Sequence, residues 1–403
     1  MNVEMTRQIS ASVYSVGALN PNLRVFDIVM RTDYGTSYNA YLIRGEKTAL
    51  VETCHNSFFE EFLENIRAVC DPGEIDYIIL NHTEPDHSGA LRRLTECAPQ
   101  AEIIASRAAA IYLRAITNLP DLRVRAVGDG ETLDLGAGKT LRFINAPFLH
   151  WPDSMFTWFE AEGVLFSCDF LGSHYCEPRM IDTAITYPNA YQSALKNYFD
   201  AIFGPFKPYV LKGLEKIAGL DIAVCANSHG PVLTKGGQLQ NALDCYRTWA
   251  QPQKNDACTI PIFYCTAYGH TARTAEAIRE GILSVKPEAK VELFNIIDGD
   301  MADLGARLMG SNAFLVGSPT INKDAVPPVW QLLSHIDAIN IQKRPAAVFG
   351  SYGWSGEAVP ALCTRLAQLK CKVFGEGLKV NFVPSEEELA AAVSFGKEFA
   401  ESL

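Results

Sequence analysis

The sequence predicts two α/β domains in tandem, a strand-rich layered domain with helices on its outer faces followed by a doubly wound parallel sheet. Three observations lead there. The chain has 403 residues, too many for one ordinary domain and enough for two that each bury most of their apolar surface. Up to about residue 250, short β-branched and aromatic runs ("VFDIVM", "SYNAYLI", "TALVET", "YIILNH", "AEIIAS", "TLRFINAPF", "GVLFSCDF") alternate with amphipathic stretches such as "SFFEEFLENIRAV" and "SGALRRLTECA". From "TIPIFYCTAYGHTARTAEAIREGI" onward strand, turn and helix succeed one another regularly, through "AFLVGSPT", "PAAVFGSYGW" and "KVNFV" to a last helix. The polar segment "QPQKNDAC", residues 251–258, separates the two patterns and reads as a linker. The expected domains are therefore 1–250 and 259–403.

Composition narrows the function. Hydrophobic residues at 48% and charged residues at 20% describe a globular protein, and no apolar run is long enough to span a bilayer. The first residues, "MNVEMTRQIS", lack a secretory h-region, so we expect a cytoplasmic protein with reduced thiols. Eleven cysteines without a C-x-x-C pair argue against a disulfide framework, a zinc ribbon or a built-in rubredoxin site. A net charge of −11 with no basic stripe disfavours nucleic acid as partner.

The chemistry begins at "NHTEPDHSGA", residues 81–90, directly after the apolar "YIIL". An extended chain sends His82, Glu84 and Asp86 to one side, and Pro85 keeps Glu84 out of helical dihedrals. Asp86 and His87 fall where a helix would begin. Two imidazoles and two carboxylates at one strand end stay unsatisfied unless they share a cation, so the pattern points to a metal. A lone H-x-E would read as a solvated loop. Three further strand ends carry His150, Asp169 and His229, each closing an apolar run. Singly, such residues are structural histidines or helix caps. Together with the first cluster they make seven ligands, more than one ion needs, and two metals sharing a carboxylate fit better.

These residues resemble the metallo-β-lactamase superfamily, whose usual H-x-H-x-D-H is here changed at its second histidine to Glu84. With the later histidine, aspartate and histidine, the pattern is similar to that of the flavodiiron proteins. The resemblance implies two non-haem iron ions. His82, Glu84 and His150 would hold one, Asp86, His87 and His229 the other, and Asp169 would bridge, with His87 not a ligand in every relative. A carboxylate in place of an imidazole suits iron redox chemistry better than a zinc hydrolase. It also implies a metallo-β-lactamase-like αββα sandwich for the first domain and places Tyr198, in "LKNYFDAI", near the iron pocket. Many relatives carry a histidine shortly before "GTSYNAY", whereas "FDIVMRTDYGTSYNAY" has none. His55, His174 and His335 read as hydrogen-bonded or surface residues.

In the second domain "TAYGHT", comprising Thr266, Ala267, Tyr268, Gly269, His270 and Thr271, sits between a strand and a helix. A phosphate there would meet free N–H groups, the helix dipole and two threonine hydroxyls. No G-K-[ST] is present, so it is not a Walker loop. The loop resembles the phosphate loop of flavodoxins. "SPTIN", with Pro319, Thr320, Ile321 and Asn322, and "SYGWSGEA", with Ser351, Tyr352, Gly353, Trp354, Ser355 and Gly356, resemble the loops flanking the FMN ring in flavodoxin-like domains. Tyr352 and Trp354 offer flat faces, and Gly353 and Gly356 allow close approach.

Taken over the whole chain, the resemblance implies a two-domain flavodiiron oxidoreductase with FMN and two irons. It would reduce dioxygen to water, nitric oxide to nitrous oxide, or both. Electrons would come from rubredoxin or another external donor. It further implies a head-to-tail homodimer, or a dimer of dimers, that brings one subunit's flavin beside its partner's irons. Two rival readings are a dinuclear zinc hydrolase with a flavodoxin-like accessory domain, and an electron carrier with a vestigial metal site.

Overall fold

The computed structural model describes residues 7–252 and 257–403. It divides into two compact units, Met1–Pro252 and Gln253–Leu403. Residues 253–256 of the expected linker lie outside the described residues. Among those described, no helix is long and apolar enough to cross a membrane.

The first unit is an αββα sandwich. One sheet has seven strands in the order Arg7–Gln8, Val13–Ser15, Tyr41–Ile43, Thr48–Val51, Ile75–Leu80, Glu102–Ser106 and Val124–Val127, the last four mutually parallel. The other has six, Thr132–Asp134, Thr140–Asn145, Met155–Phe159, Val164–Cys168, Val224–Asn227 and Leu233–Thr234. Alternation of side chains along each strand divides the apolar residues between two cores. Tyr77 and Ile79 meet Phe143, Phe159 and Phe166 between the sheets. Ile78 and Leu80 pack under the helices with Phe62, Leu63 and Leu94. Both faces of the strand are thus buried, which is why "IDYIIL" reads as an almost unbroken apolar run.

One predicted strand is corrected. "VFDIVM" is a hairpin, Val25–Phe26 pairing antiparallel with Met30–Arg31. Asp27 and Ile28 make the turn at φ 44° and 69°. A β-branched residue in that region is strained, and the apolar pattern hides the turn because it lacks the usual Gly, Asn-Gly or Asp-Gly.

The second unit is a parallel sheet in the order Leu293–Asn295, Ile262–Tyr264, Phe314–Ile321, Pro345–Tyr352 and Lys372–Val373, with Leu378–Asn381 also parallel to Pro345–Tyr352. This is the doubly wound 2-1-3-4-5 order. Phe263, Val316 and Val348 face one helical layer; Ile262, Leu315 and Ala347 face the other, made by His270–Val285 and Glu386–Glu401. Those two helices touch backbone to backbone. A Cβ added at Gly281 would lie 2.0 Å from the Val393 carbonyl oxygen, and one at Gly396 2.1 Å from that of Ile278. We expect Gly396→Ala to destabilise this unit by about 1–3 kcal/mol through overpacking, read as a lowered denaturant midpoint for unfolding of the second unit; an unchanged midpoint would contradict the contact.

Candidate functional site

Four strand ends of the sandwich converge. His82 and Glu84 follow the strand Ile75–Leu80, and Asp86 and His87 open the single turn Pro85–Ser88. Asp169 directly follows Val164–Cys168, and His229 lies just past Val224–Asn227. His150 stands in the loop after Thr140–Asn145, further from its strand than the run "TLRFINAPFL" suggested. All seven side chains are brought together.

They form two groups with one shared member. Glu84 Oε2 lies 3.3 Å from His82 Nε2 and 3.0 Å from His150 Nε2, and Asp169 Oδ2 is 3.6 and 3.4 Å from the same nitrogens. On the other side, Asp86 Oδ1 is 3.3 Å from His87 Nε2 and its Oδ2 3.0 Å from His229 Nε2, while Asp169 Oδ1 is 3.0 and 3.4 Å from them. Each oxygen of Asp169 thus addresses one group. His82, Glu84, His150 and Asp169 have the composition and spacing to hold one metal ion, and Asp86, His87 and His229 those to hold another.

Several of these atoms are close but misaligned. Both oxygens of Asp86 and of Asp169, and Nε2 of His87, make no aligned hydrogen bond although all are buried. Buried polar atoms this close to one another without hydrogen bonds fit a shared cation better than mutual hydrogen bonding. The titration of the pocket says the same. Burial pulls the imidazoles down, yet the carboxylates win. His150 is raised to about 9 and His229 to about 10 by the facing carboxylates, Asp169 together with Glu84 or Asp86. Burial likewise pushes the carboxyls up, but the facing imidazoles hold Asp169 and Glu84 far below the ordinary carboxylate range. This pocket requires positive charge. His, Asp and Glu ligands in two sets with a shared carboxylate suit a pair of iron ions.

Outer contacts fix the ligands. His82 Nδ1 is 3.2 Å from Asp153 Oδ1, and Asp153 Oδ2 accepts from Thr83 N at 2.8 Å and Thr83 Oγ1 at 2.7 Å. His229 Nδ1 donates to the Ser37 carbonyl at 2.7 Å, leaving Nε2 to face the pocket. Asn39 Nδ2 and the Tyr41 hydroxyl donate to the Asn227 carbonyl at 2.9 and 2.6 Å. Glu52, buried at φ 65°, accepts from Asn81 N at 3.0 Å. Phe148, Cys168 and Leu171 also have left-handed backbones, at φ 66°, 51° and 67°. Such strain, on the order of 1–3 kcal/mol each, persists only where surrounding structure holds it, as it does around functional sites.

Asp153, Ser37, Thr36 and Glu52 were not among the sequence candidates. Only Asp153 had a signal, an acid close after His150 in "HWPDS". His174 is a buried, hydrogen-bonded histidine, its Nδ1 2.8 Å from Thr36 Oγ1. Burial and the adjoining His229 push it well down, so its ring is neutral. Tyr198 is buried with its ring edge-on to His174 at 4.8 Å and 5.9 Å from His229, just before the π-helical turn Phe199–Phe203. The turn residue Asp27 brings its carboxyl against Glu84. Partial desolvation and the Glu84 charge raise it to about 6.

The second unit collects its three loops at one sheet edge, because the strands Ile262–Tyr264, Phe314–Ile321 and Pro345–Tyr352 are parallel. Gly269, at φ 83° with open space around it, starts the helix His270–Val285. Thr266 Oγ1 is buried without a partner, while Thr271 Oγ1 is 2.8 Å from Ser351 Oγ. Ala267, Tyr268 and His270 complete this turn. Thr320 Oγ1 accepts from Ala358 N at 3.3 Å, Pro319 and Ile321 end their strand, and Asn322 turns at φ 54°. Tyr268 and Trp354 are 86% and 88% exposed, which leaves their rings open to a planar ligand. Tyr352, Gly353, Ser355 and Gly356 form the third loop, with Gly356 at φ 82°. An orphan hydroxyl beside a helix N-terminus, with flat rings nearby, fits the phosphate and ring of FMN.

Comparison with known proteins agrees with both halves. Residues 36–230 match the family model "ODP family beta lactamase", and residues 262–396 match "Flavodoxin". Flavo-diiron protein FprA2 of Clostridium acetobutylicum is 53% identical over 98% of this chain and 99% of its own. The chain belongs to the flavodiiron protein family. The anaerobic nitric oxide reductase flavorubredoxin of Salmonella arizonae is 34% identical over 98% of this chain and 82% of its own. Among solved structures, rubredoxin oxygen:oxidoreductase from Desulfovibrio gigas aligns with a TM-score of 0.71 at 29% identity over 98% of each chain. The flavodiiron protein from Giardia intestinalis aligns at 0.68 and 28% identity, over 98% of this chain and 96% of that one.

Two outcomes test the metal pocket. Asp153→Asn, which weakens the grip on His82 without touching a ligand, lowers iron affinity about 10- to 100-fold, measured by competition with a chelator. Protons on His150 and His229 compete with metal, so ferrous-ion affinity of the metal-free protein rises with pH throughout the range below about 9, where these imidazoles begin to lose their protons, and uptake at neutral pH releases protons; a titration in weak buffer showing no proton release would contradict this.

Proposed function

We propose that this flavodiiron protein is an oxidoreductase that reduces dioxygen to water, nitric oxide to nitrous oxide, or both, with rubredoxin or another external donor supplying electrons. The observation that carries the reading is Asp169, one oxygen turned to each of two buried histidine–carboxylate groups. His82, Glu84 and His150 would hold one iron, Asp86, His87 and His229 the other, and Asp169 both. The flavin would lie on Thr266–Thr271, Pro319–Asn322 and Ser351–Gly356. We assign the metal centre to a domain of residues 1–250 and the flavin to residues 259–403, joined by the linker 251–258.

When bound, two ferrous ions and reduced FMN together store four electrons, enough to take dioxygen to water or two nitric oxide molecules to nitrous oxide and water. The protein's own part is placement. Ser37 and Asp153 turn the imidazoles of His229 and His82 inward, and the apolar rings of Phe26 and Phe203 pack against His174, His229 and His150. These apolar rings screen the histidines from bulk water. The exposed Asp27 carboxyl stands beside Glu84 at its margin.

A head-to-tail homodimer, or a dimer of dimers, would set one subunit's flavin beside its partner's irons. All eleven cysteines are unpaired, which supports a reducing cytoplasm as its place. The net charge of −11 speaks against a nucleic-acid partner. A dinuclear zinc hydrolase is the weaker reading, because Glu84 occupies the place of an imidazole and the relatives named above are flavodiiron proteins and oxidoreductases.

Anaerobically purified protein should contain two irons and one FMN per chain and, reduced through rubredoxin, consume dioxygen or nitric oxide. Two zincs with ester or lactam hydrolysis, or indifference to both gases, would overturn the proposal. Glu84→Ala and His150→Ala should each cut gas consumption by at least about 100-fold, beyond the loss typical of outer contacts, with FMN content unchanged. Unimpaired turnover would instead mark the metal site as vestigial.

A further inference from the structure

Between the segment Met30–Tyr34 and the helix Pro188–Tyr198 lies a narrow crevice whose enclosed part measures about 10 Å³, roughly the space one water needs. Its outer rim carries Asp33, Tyr34 and Asn197, and its inner end is lined by Thr32, His174 and Tyr198. Thr32 and His174 are 1% and 4% exposed, and Thr32 Oγ1 and His174 Nε2 are both buried without a hydrogen-bond partner. Two orphaned polar atoms on one water-sized space are costly unless they share a polar guest.

The far side of His174 leads inward. Its Nδ1 is 2.8 Å from Thr36 Oγ1, which is itself 3.4 Å from His229 Nδ1, and the two imidazoles pack edge-on at 5.0 Å. Phe26 covers the ring from another side at 4.5 Å. A consistent set of directions exists. His229 Nδ1–H divides between the Ser37 carbonyl and Thr36 Oγ1, the Thr36 hydroxyl donates to His174 Nδ1, and His174 Nε2–H donates into the crevice.

We propose that the crevice is a site for one ordered water, held by Thr32 and His174, and that water, His174 and Thr36 form a hydrogen-bonded brace for His229. His174 and Thr36 are then positioning residues, acting through His229. The brace part rests on the metal assignment proposed above; the water site does not. A ring at the pocket wall whose outer nitrogen is anchored keeps one tautomer and one orientation, and His229 inherits that order.

A high-resolution crystal structure of the full-length holoprotein tests the water directly. Density within hydrogen-bond distance of both Thr32 Oγ1 and His174 Nε2 is expected, and a crevice closed by side chains or filled without contact to either atom would overturn the site. This holds whatever metal is bound, so failure here and failure of the diiron reading are told apart. For the brace, His174→Leu keeps bulk and removes both nitrogens, Thr36→Val removes the hydroxyl, and His174→Asn restores a partner for Thr36. The first two should raise the rate of iron loss to a chelator about 10-fold and shift the electron paramagnetic resonance signal of the half-reduced centre, and His174→Asn should restore both in large part. Should His174→Leu fail to fold, Thr36→Val decides alone. Wild-type iron retention and an unshifted signal in Thr36→Val would overturn the brace.

Discussion

The candidate site of the first domain answers to one electrostatic constraint, the burial of Glu84, Asp86 and Asp169 around four imidazoles. Carboxylates buried in so dry a place call for compensating charge. Four imidazoles supply part of it, and the buried polar atoms without hydrogen bonds show where metal ions would supply the rest. The backbone bends to meet that constraint. Left-handed residues at Glu52, Phe148, Cys168 and Leu171 surround the candidate ligands; Asn81 N donates to Glu52, Ser228 N to the Cys168 carbonyl and Asn227 Nδ2 to the Leu171 carbonyl.

Much of this was legible in the sequence because it is local. The H-x-E-x-D-H run places four groups by strand alternation and one proline, and needs no tertiary information. His150, Asp169 and His229 were visible as polar residues closing apolar runs. The three loops proposed for the flavin were picked out by the same kind of reasoning, since a doubly wound sheet puts its working residues at the carboxyl ends of strands. What escaped is what depends on contacts far apart in the chain. Asp153 meets His82 across 71 positions, and Ser37 meets His229 across 192. No spacing rule announces such pairs. The hairpin at Asp27 escaped for another reason, an apolar run that tolerates a strained turn.

The two units show two ways of using a sheet edge. In the sandwich, the proposed ligands come from loops of both sheets, and outer hydrogen bonds hold His82 and His229, as an ion with fixed coordination would demand. In the parallel domain the loops are looser and more exposed, with aromatic faces left open and a single orphan hydroxyl, as suits a large planar cofactor held by many weak contacts.

The origin of the ligands has a last consequence. Residues 82–87 belong to one sheet of the sandwich, and 150, 169 and 229 to the other. A pair of ions bound there would be a clasp across the open end of the two layers, riveting them where neither has a strand to pair with. Catalytic damage and mechanical loosening would then arrive together. A ligand replaced to silence the chemistry would also unfasten the domain, and thermal melting of the loaded protein would report on the reaction centre as faithfully as any assay.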